Sequence, residues 1–110
     1  MARQIVFYKN YFLDFYEAQT VKVQEKIDYV LDLIATVERV PEKFLKHLEE
    51  TDAFYEIRVK QGSDIFRIFC CFDEGKLVVL FNGFRKKSNK TPKNEIEKAE
   101  AIRQEYFNKK

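Results

Sequence analysis

Tryptophan is absent from this chain, methionine and histidine occur once each, and glycine, proline and cysteine number 3, 2 and 2 in 110 residues. Each scarcity removes a class of protein. One histidine, His47, and two adjacent cysteines, Cys70 and Cys71, do not amount to a metal-ligand constellation, so no metal and no cofactor is expected. Neighbouring residues on a strand point to opposite faces, and a disulfide between these two would need unusual backbone geometry. A reduced, cytoplasmic protein is the expectation. No apolar run approaches the length of a membrane span. The start of the chain, Met1-Ala2-Arg3-Gln4, leads only into Ile5-Val6-Phe7-Tyr8, which does not read as a secretion signal. Internal repeats, low-complexity stretches and long linkers are missing as well.

What remains is rich in aromatics and charge. With 11 Phe and 6 Tyr, and 45% hydrophobic residues overall, the chain reads as a globular domain spanning 1–110 whose large side chains fill a single core. The net charge of +2 is unevenly spread. Residues 1–84 carry 11 Lys/Arg against 14 Asp/Glu, whereas residues 85–110 carry 9 against 4. Basic character confined to one segment is the mark of a binding patch for an anionic partner.

The periodicity places the elements. Gln4–Tyr8 reads as a short strand and Asn10–Tyr16 as a short helix. Thr20 offers an N-cap for a longer helix to about Glu38, with Val23, Ile27, Val30, Leu31, Ile34 and Val37 on one side. Pro41 is placed to open a further short helix carrying Phe44, Leu45 and Leu48, and with it His47, away from any cationic surface. Thr51-Asp52 ends that pattern. Phe54–Lys60, Ile65–Phe72 and Lys76–Phe84 then alternate as three strands, joined by short connections that contain Gly62 and Gly75 and force antiparallel pairing. Thr91 is positioned to cap a last helix with Pro92 in its first turn and Ile96, Ala99, Ile102, Arg103 and Tyr106 on one side. The fold class is α+β: an N-terminal strand and helices packed on a twisted antiparallel β-meander, with a C-terminal helix.

Alternation puts Tyr55, Ile57 and Val59 with Phe66, Ile68 and Cys70 beneath the helices, and Glu56, Arg58, Lys60 and Arg67 on the opposite face. In the third strand, Leu77, Val79 and Phe81 alternate with Val78, Leu80, Asn82 and Phe84. Strand interiors seldom carry arginine, though a cross-strand ion pair between Glu56 and one arginine would account for it equally well. Beyond the third strand, Arg85, Lys86, Lys87 and Lys90 bring four cations within six positions to the rim of the same sheet.

Phe54-Tyr55-Glu56-Ile57-Arg58, Phe66-Arg67-Ile68-Phe69, Gly75-Lys76-Leu77-Val78-Val79-Leu80, Gly83-Phe84-Arg85-Lys86-Lys87 and Lys90-Thr91-Pro92 with Glu95-Ile96 and Ala99 together resemble the HigB-like, phage-related branch of the RelE/ParE toxin superfamily. The resemblance covers roughly residues 3–107. It implies a toxin of a type II toxin–antitoxin pair that acts as a ribosome-dependent mRNA endoribonuclease. Its implied partners are the ribosome, mRNA and a small helix-turn-helix antitoxin, with no membrane involved. Carried onto this chain, the family's cationic sheet face falls on Arg58 and Arg67. Its basic strand end falls on Arg85, Lys86, Lys87 and Lys90.

Cutting RNA through its own 2′-OH needs a base, a clamp for the pentacoordinate phosphate and an acid for the 5′-oxygen. Arg67 suits the clamp, because a planar guanidinium grips two phosphate oxygens. Arg58 suits a second stabiliser, Lys86 or Lys87 the acid, and Glu56 the base. Arg85, Lys90, Lys60 and Lys93 are candidates for the RNA path. Several relatives place a His or Tyr near the end of the last strand, where this chain has Asn82, Arg85 and Lys86. Tyr106 reaches the site only if the last helix folds back over it. Two other readings stay open: a ParE-like toxin that binds gyrase without cleaving RNA, and a phage-derived structural protein without enzymatic activity.

Overall fold

The computed structural model describes residues 2–49, 51, 53–75 and 77–109. Its elements follow in the order β1 (Gln4–Phe7), α1 (Tyr11–Glu17), α2 (Val21–Thr36), β2 (Leu45–His47), β3 (Phe54–Gln61), β4 (Asp64–Asp73), β5 (Leu77–Lys86) and α3 (Lys93–Asn108). Helix α2 begins where the sequence places it. Thr20 is extended, and its hydroxyl accepts from the Val23 amide at 3.3 Å, satisfying one of the free donors of the first turn. At the other end the Arg3 guanidinium donates to the carbonyls of Ile34, Val37 and Glu38, a cation set on the negative end of the helix.

The sheet has the order β1-β5-β4-β3-β2, with β1 parallel to β5 and every other pair antiparallel. The two hairpin glycines adopt positive φ, +62° at Gly62 and +75° at Gly75, as tight connections demand. The starting position of the third meander strand at Lys76 lies outside the described residues.

The segment after Pro41 is not a helix. The Phe44 and Leu45 amides both bond to the Pro41 carbonyl, making a single turn, and the chain then extends as β2. Leu45, Lys46 and His47 pair with Ile57, Glu56 and Tyr55. The spacing of Phe44, Leu45 and Leu48 suits a helix edge, but pairing with the open side of β3 outweighs a one-turn helical preference. His47 is therefore a strand residue, half-buried, with its ring edge-on to Tyr55 at 5.2 Å.

The second departure is a bulge. Ile68 pairs with Gly83 and Cys70 with Leu80, so Phe69 opposes two residues, Phe81 and Asn82. The face assignment of β5 switches there. Before the bulge Val79 and Phe81 lie with Phe69; after it Phe84 does, not with Val78 and Leu80 as simple alternation gives.

Two cores result. One lies between the sheet and α1/α2, built from Phe12, Val23, Ile27, Val30, Ile34, Ile57, Val59, Phe66, Ile68, Cys70, Val78 and Leu80. The other lies under α3 on the opposite face, where Ala99 and Ile102 cover Phe54, Phe69, Cys71, Val79, Phe81 and Phe84. The last helix thus closes over the second face of the sheet. Cys70 and Cys71 are buried, one in each core, and both are free thiols. Burial pushes Cys71 up to about 11 against the pull of Arg103, and burial pushes Cys70 up too. A thiol reagent at mildly alkaline pH is expected to label neither cysteine in the native protein and both in denaturant. Rapid labelling of the native protein would contradict this packing.

Candidate functional site

Helix α3 covers only part of its face of the sheet. At the end nearest the β3–β4 hairpin, register places Arg58 directly opposite Arg67. Like charges in that relation repel, and such a pair persists only with an anion nearby. One is supplied by Glu56, whose Oε1 lies 3.8 Å from the Nε of each arginine. At that distance neither contact is a hydrogen bond, and both Nε atoms are buried without an acceptor. A buried donor left in that state costs roughly 1–3 kcal/mol, more when charged. Arg67 is 7% exposed and is fixed by donation from Nη1 to the Phe66 carbonyl at 3.0 Å. Burial, reinforced by Arg58 and opposed by Glu56, pulls Arg67 below the ordinary guanidinium value. It stays charged, as arginine does.

The bulge decides which basic residues beyond the strand join this pair. With the face switched, Lys86 pairs with Ile65 two positions from Arg67 and lies on the arginine side. Burial foremost, then Arg67, with Arg58 and Lys46 adding, pulls its ammonium below the ordinary lysine value, while Glu56 opposes. Lys46, carried by the unforeseen β2 and paired opposite Glu56, extends the cluster. Lys60, at the end of β3, stands on the same face and is exposed. Only recognising β2 as a strand would have revealed Lys46.

The other basic residues are distributed differently. Arg85 pairs with Phe66, on the α1/α2 side, and is bound to Asp64. Lys87 is exposed beyond the strand end. Lys90 and Lys93 reach the opposite flank of the cluster, lining a groove of about 770 Å³ with Lys46, His47, Glu56 and Thr91. His47 thus borders the site it was expected to avoid.

The loop into α3 is tied to the site by Thr91. It does not cap the helix: Pro92 occupies the N-cap position without a side-chain bond, and the Glu95 amide bonds to its carbonyl. The Thr91 hydroxyl instead donates to Glu56 Oε2 at 3.5 Å. Asn82 is buried, and its amide donates to the Glu95 carbonyl and carboxylate at 3.2 and 3.0 Å, which locks the first turn of α3 to β5. Tyr106 lies elsewhere. Its hydroxyl donates to Asp73 Oδ2 at 2.7 Å, at the far end of β4 from Arg67.

Among the described residues no group of three or more His, Cys, Asp or Glu side chains is arranged to hold a metal ion. No helix of the described residues is long and apolar enough to cross a membrane.

No curated protein matches the chain. A protein-family model described as phage derived protein Gp49-like (DUF891) matches residues 14–104, from within α1 to within α3, and so includes every residue of the cationic cluster. The match agrees with a toxin of a toxin–antitoxin system. The chain belongs to the phage-derived Gp49-like family, within the RelE/HigB-type toxin group.

Proposed function

We propose that this protein is a type II toxin of the HigB-like branch that cuts mRNA in the ribosome. The observation that carries this reading is the facing pair Arg58 and Arg67, with two buried Nε donors lacking acceptors beside Glu56 and Lys86. The Nε atoms themselves are covered, so an RNA phosphate docks on the outer part of the guanidiniums, the Arg58 side chain being 29% exposed. In the reaction, Glu56 takes the proton of the 2′-OH, whose oxygen attacks the adjacent phosphorus. Arg67 and Arg58 hold the charge that builds on the phosphate oxygens. The bond from phosphorus to the 5′-oxygen breaks as Lys86 delivers its proton there, leaving a 2′,3′-cyclic phosphate and a 5′-hydroxyl. Thr91 on Oε2 and the arginines near Oε1 hold the Glu56 carboxylate in place. Lys90, Lys93 and Lys60 flank the path of the strand; Lys87 and the Asp64-bound Arg85 stand at its edge. A cognate antitoxin, ribosome and mRNA are the partners this reading requires, and the cytoplasm its compartment.

Lys86 carries a pH consequence. An acid must be protonated, and its lowered pKa brings proton loss closer to neutrality. Cleavage is expected to fall as pH rises through that pKa. Lys86→Arg keeps the charge but cannot release a proton there, so kcat should drop by ~10²-fold or more and the alkaline limb should vanish. An unchanged pH profile in that variant would remove Lys86 from the role of acid.

The gyrase-directed alternative requires no acid and no phosphate clamp. Induction in cells separates the two: translation arrest with shortened transcripts fits the nuclease, whereas DNA damage and filamentation with intact transcripts fits gyrase inhibition. Growth unaffected by induction of the folded protein would leave the structural-protein reading.

A further inference from the structure

A second, smaller pocket of about 370 Å³ lies at the β3–β4 hairpin end of the sheet. Five of the side chains lining it are cations, Lys26, Lys43, Arg58, Lys60 and Arg67, and no carboxylate lines it among the described residues. The larger groove along α3 has Glu49, Glu56, Glu97 and Glu100 against Lys46, Lys90 and Lys93. Volume favours the groove; charge favours the pocket. For a polyanion the charge decides.

Aromatic rings interleave with these cations. Lys43 Nζ lies 5.4 Å from the centroid of the Phe44 ring and Lys26 Nζ 5.1 Å from that of Tyr29, and the two rings meet edge-on at 6.3 Å. Phe44 lines the pocket, while Tyr29 is 52% exposed in a shallow depression that shares Lys26 with it. An exposed ring and a half-buried one beside cations, with Glu25 the one carboxylate bordering Tyr29, offer the backbone-tracking charge and stacking face that single-stranded nucleic acid needs.

We propose that this pocket is a subsite for the nucleotide next to the scissile phosphate of a single-stranded RNA. Its own phosphate sits among Lys26, Lys43 and Lys60, and its base packs on the Tyr29–Phe44 pair as the incoming phosphate draws both ammoniums off the rings. Arg67 borders both the pocket and the catalytic cluster, which makes the two phosphates neighbours along one strand. The subsite rests on the RNA-cutting reading and gives it a direction: on one side of the cluster the strand runs over the hairpin toward α2, and Lys90 and Lys93 flank it on the other side. Stacking is tolerant of base identity, so the subsite contributes affinity with little sequence preference.

The test is fluorescence anisotropy on the full chain with a short 2′-O-methyl RNA that cannot be cleaved, beside a polyphosphate chain and a polyglutamate peptide. Lys26→Gln/Lys43→Gln should weaken both RNA and polyphosphate binding and reduce the salt slope for RNA by ~0.7, the share of the one phosphate these lysines hold. Tyr29→Ala should weaken RNA on the order of tenfold and leave polyphosphate unchanged. RNA affinity unchanged in Tyr29→Ala overturns the subsite, reducing it to an anion patch. Polyglutamate bound as tightly as RNA overturns it in favour of an acidic protein partner. Binding is read without cleavage, so the two proposals fail separately: a wild type that cuts mRNA with unchanged KM in both variants sinks the subsite alone. A wild type that cuts nothing, yet shows these binding losses, sinks the cutting alone.

Discussion

Arg67→Ala is expected to lower the rate of mRNA cleavage by ~10²–10³-fold, the scale on which one charge-stabilising donor acts at a transition state. The side chain is aimed by its bond to the Phe66 carbonyl and enclosed by the sheet, so its loss is not made good by a neighbouring lysine. Arg67→Lys should recover only a small part, because an ammonium cannot grip two phosphate oxygens in the plane a guanidinium offers. The effect should fall mainly on kcat, since the second negative charge on the scissile phosphate develops only after binding. Glu56 keeps Arg58 and Thr91 as partners in the alanine variant, so the fold should survive, as a thermal unfolding curve will show. Full activity in a folded Arg67→Ala protein would remove this residue from the site.

Gly83→Val is expected to destabilise the protein by ~3 kcal/mol, the upper part of the range for overpacking. A Cβ built on Gly83 lies 2.5 Å from Phe15 Cδ2 and 2.7 Å from its Cγ. The base of that ring cannot swing aside, because Phe15 sits against Phe12 and Phe66 at centroid distances of 6.5 and 6.2 Å. For a domain of this size the shift in Tm is on the order of 10–20 °C. The double-mutant cycle with Phe15→Ala identifies the cause: the valine should cost much less once the ring is gone. Additive effects would show that the strain lies elsewhere. Position 83 adjoins the bulge that turns Lys86 toward Arg67, so a valine that is tolerated structurally should still lower cleavage.

Local signals were enough where the sequence code is local. The Thr20 cap, the Val23–Ile27–Val30–Ile34 stripe and the two hairpin glycines all appear in the structure as their residue types imply. The shared face of Glu56, Arg58 and Arg67 follows from period-two alternation alone. What could not be read depends on contacts distant in sequence. Leu45–His47 has no strand pattern of its own and becomes β2 only by pairing with β3. Parallel pairing of β1 with β5 joins segments some seventy positions apart, and nothing in Gln4–Phe7 names its partner. The bulge opposite Phe69 leaves no local mark, since Phe81-Asn82 breaks alternation no more than many regular strands do. Thr91-Pro92 carries an ordinary capping signature, yet the hydroxyl finds Glu56, a partner 35 positions away. The site is therefore partly legible: its arginines and Lys60 by alternation and Lys86 by its place in the basic run, but Lys46 only through β2 and the face that Lys86 takes only through the bulge.

On the proposed reading, RNA is cut by attack of its own 2′-OH under the clamp of Arg67 and Arg58. The measurement that tests it most directly is the end chemistry of mRNA incubated with purified translating ribosomes and the wild-type protein, beside Arg67→Ala and beside ribosome-free mRNA. Cuts are expected only when ribosomes are present, none above background with the alanine variant, and the ends should be 2′,3′-cyclic phosphate and 5′-hydroxyl. Fragments ending in 3′-hydroxyl and 5′-phosphate, or mRNA left intact while translation proceeds, would contradict that reading.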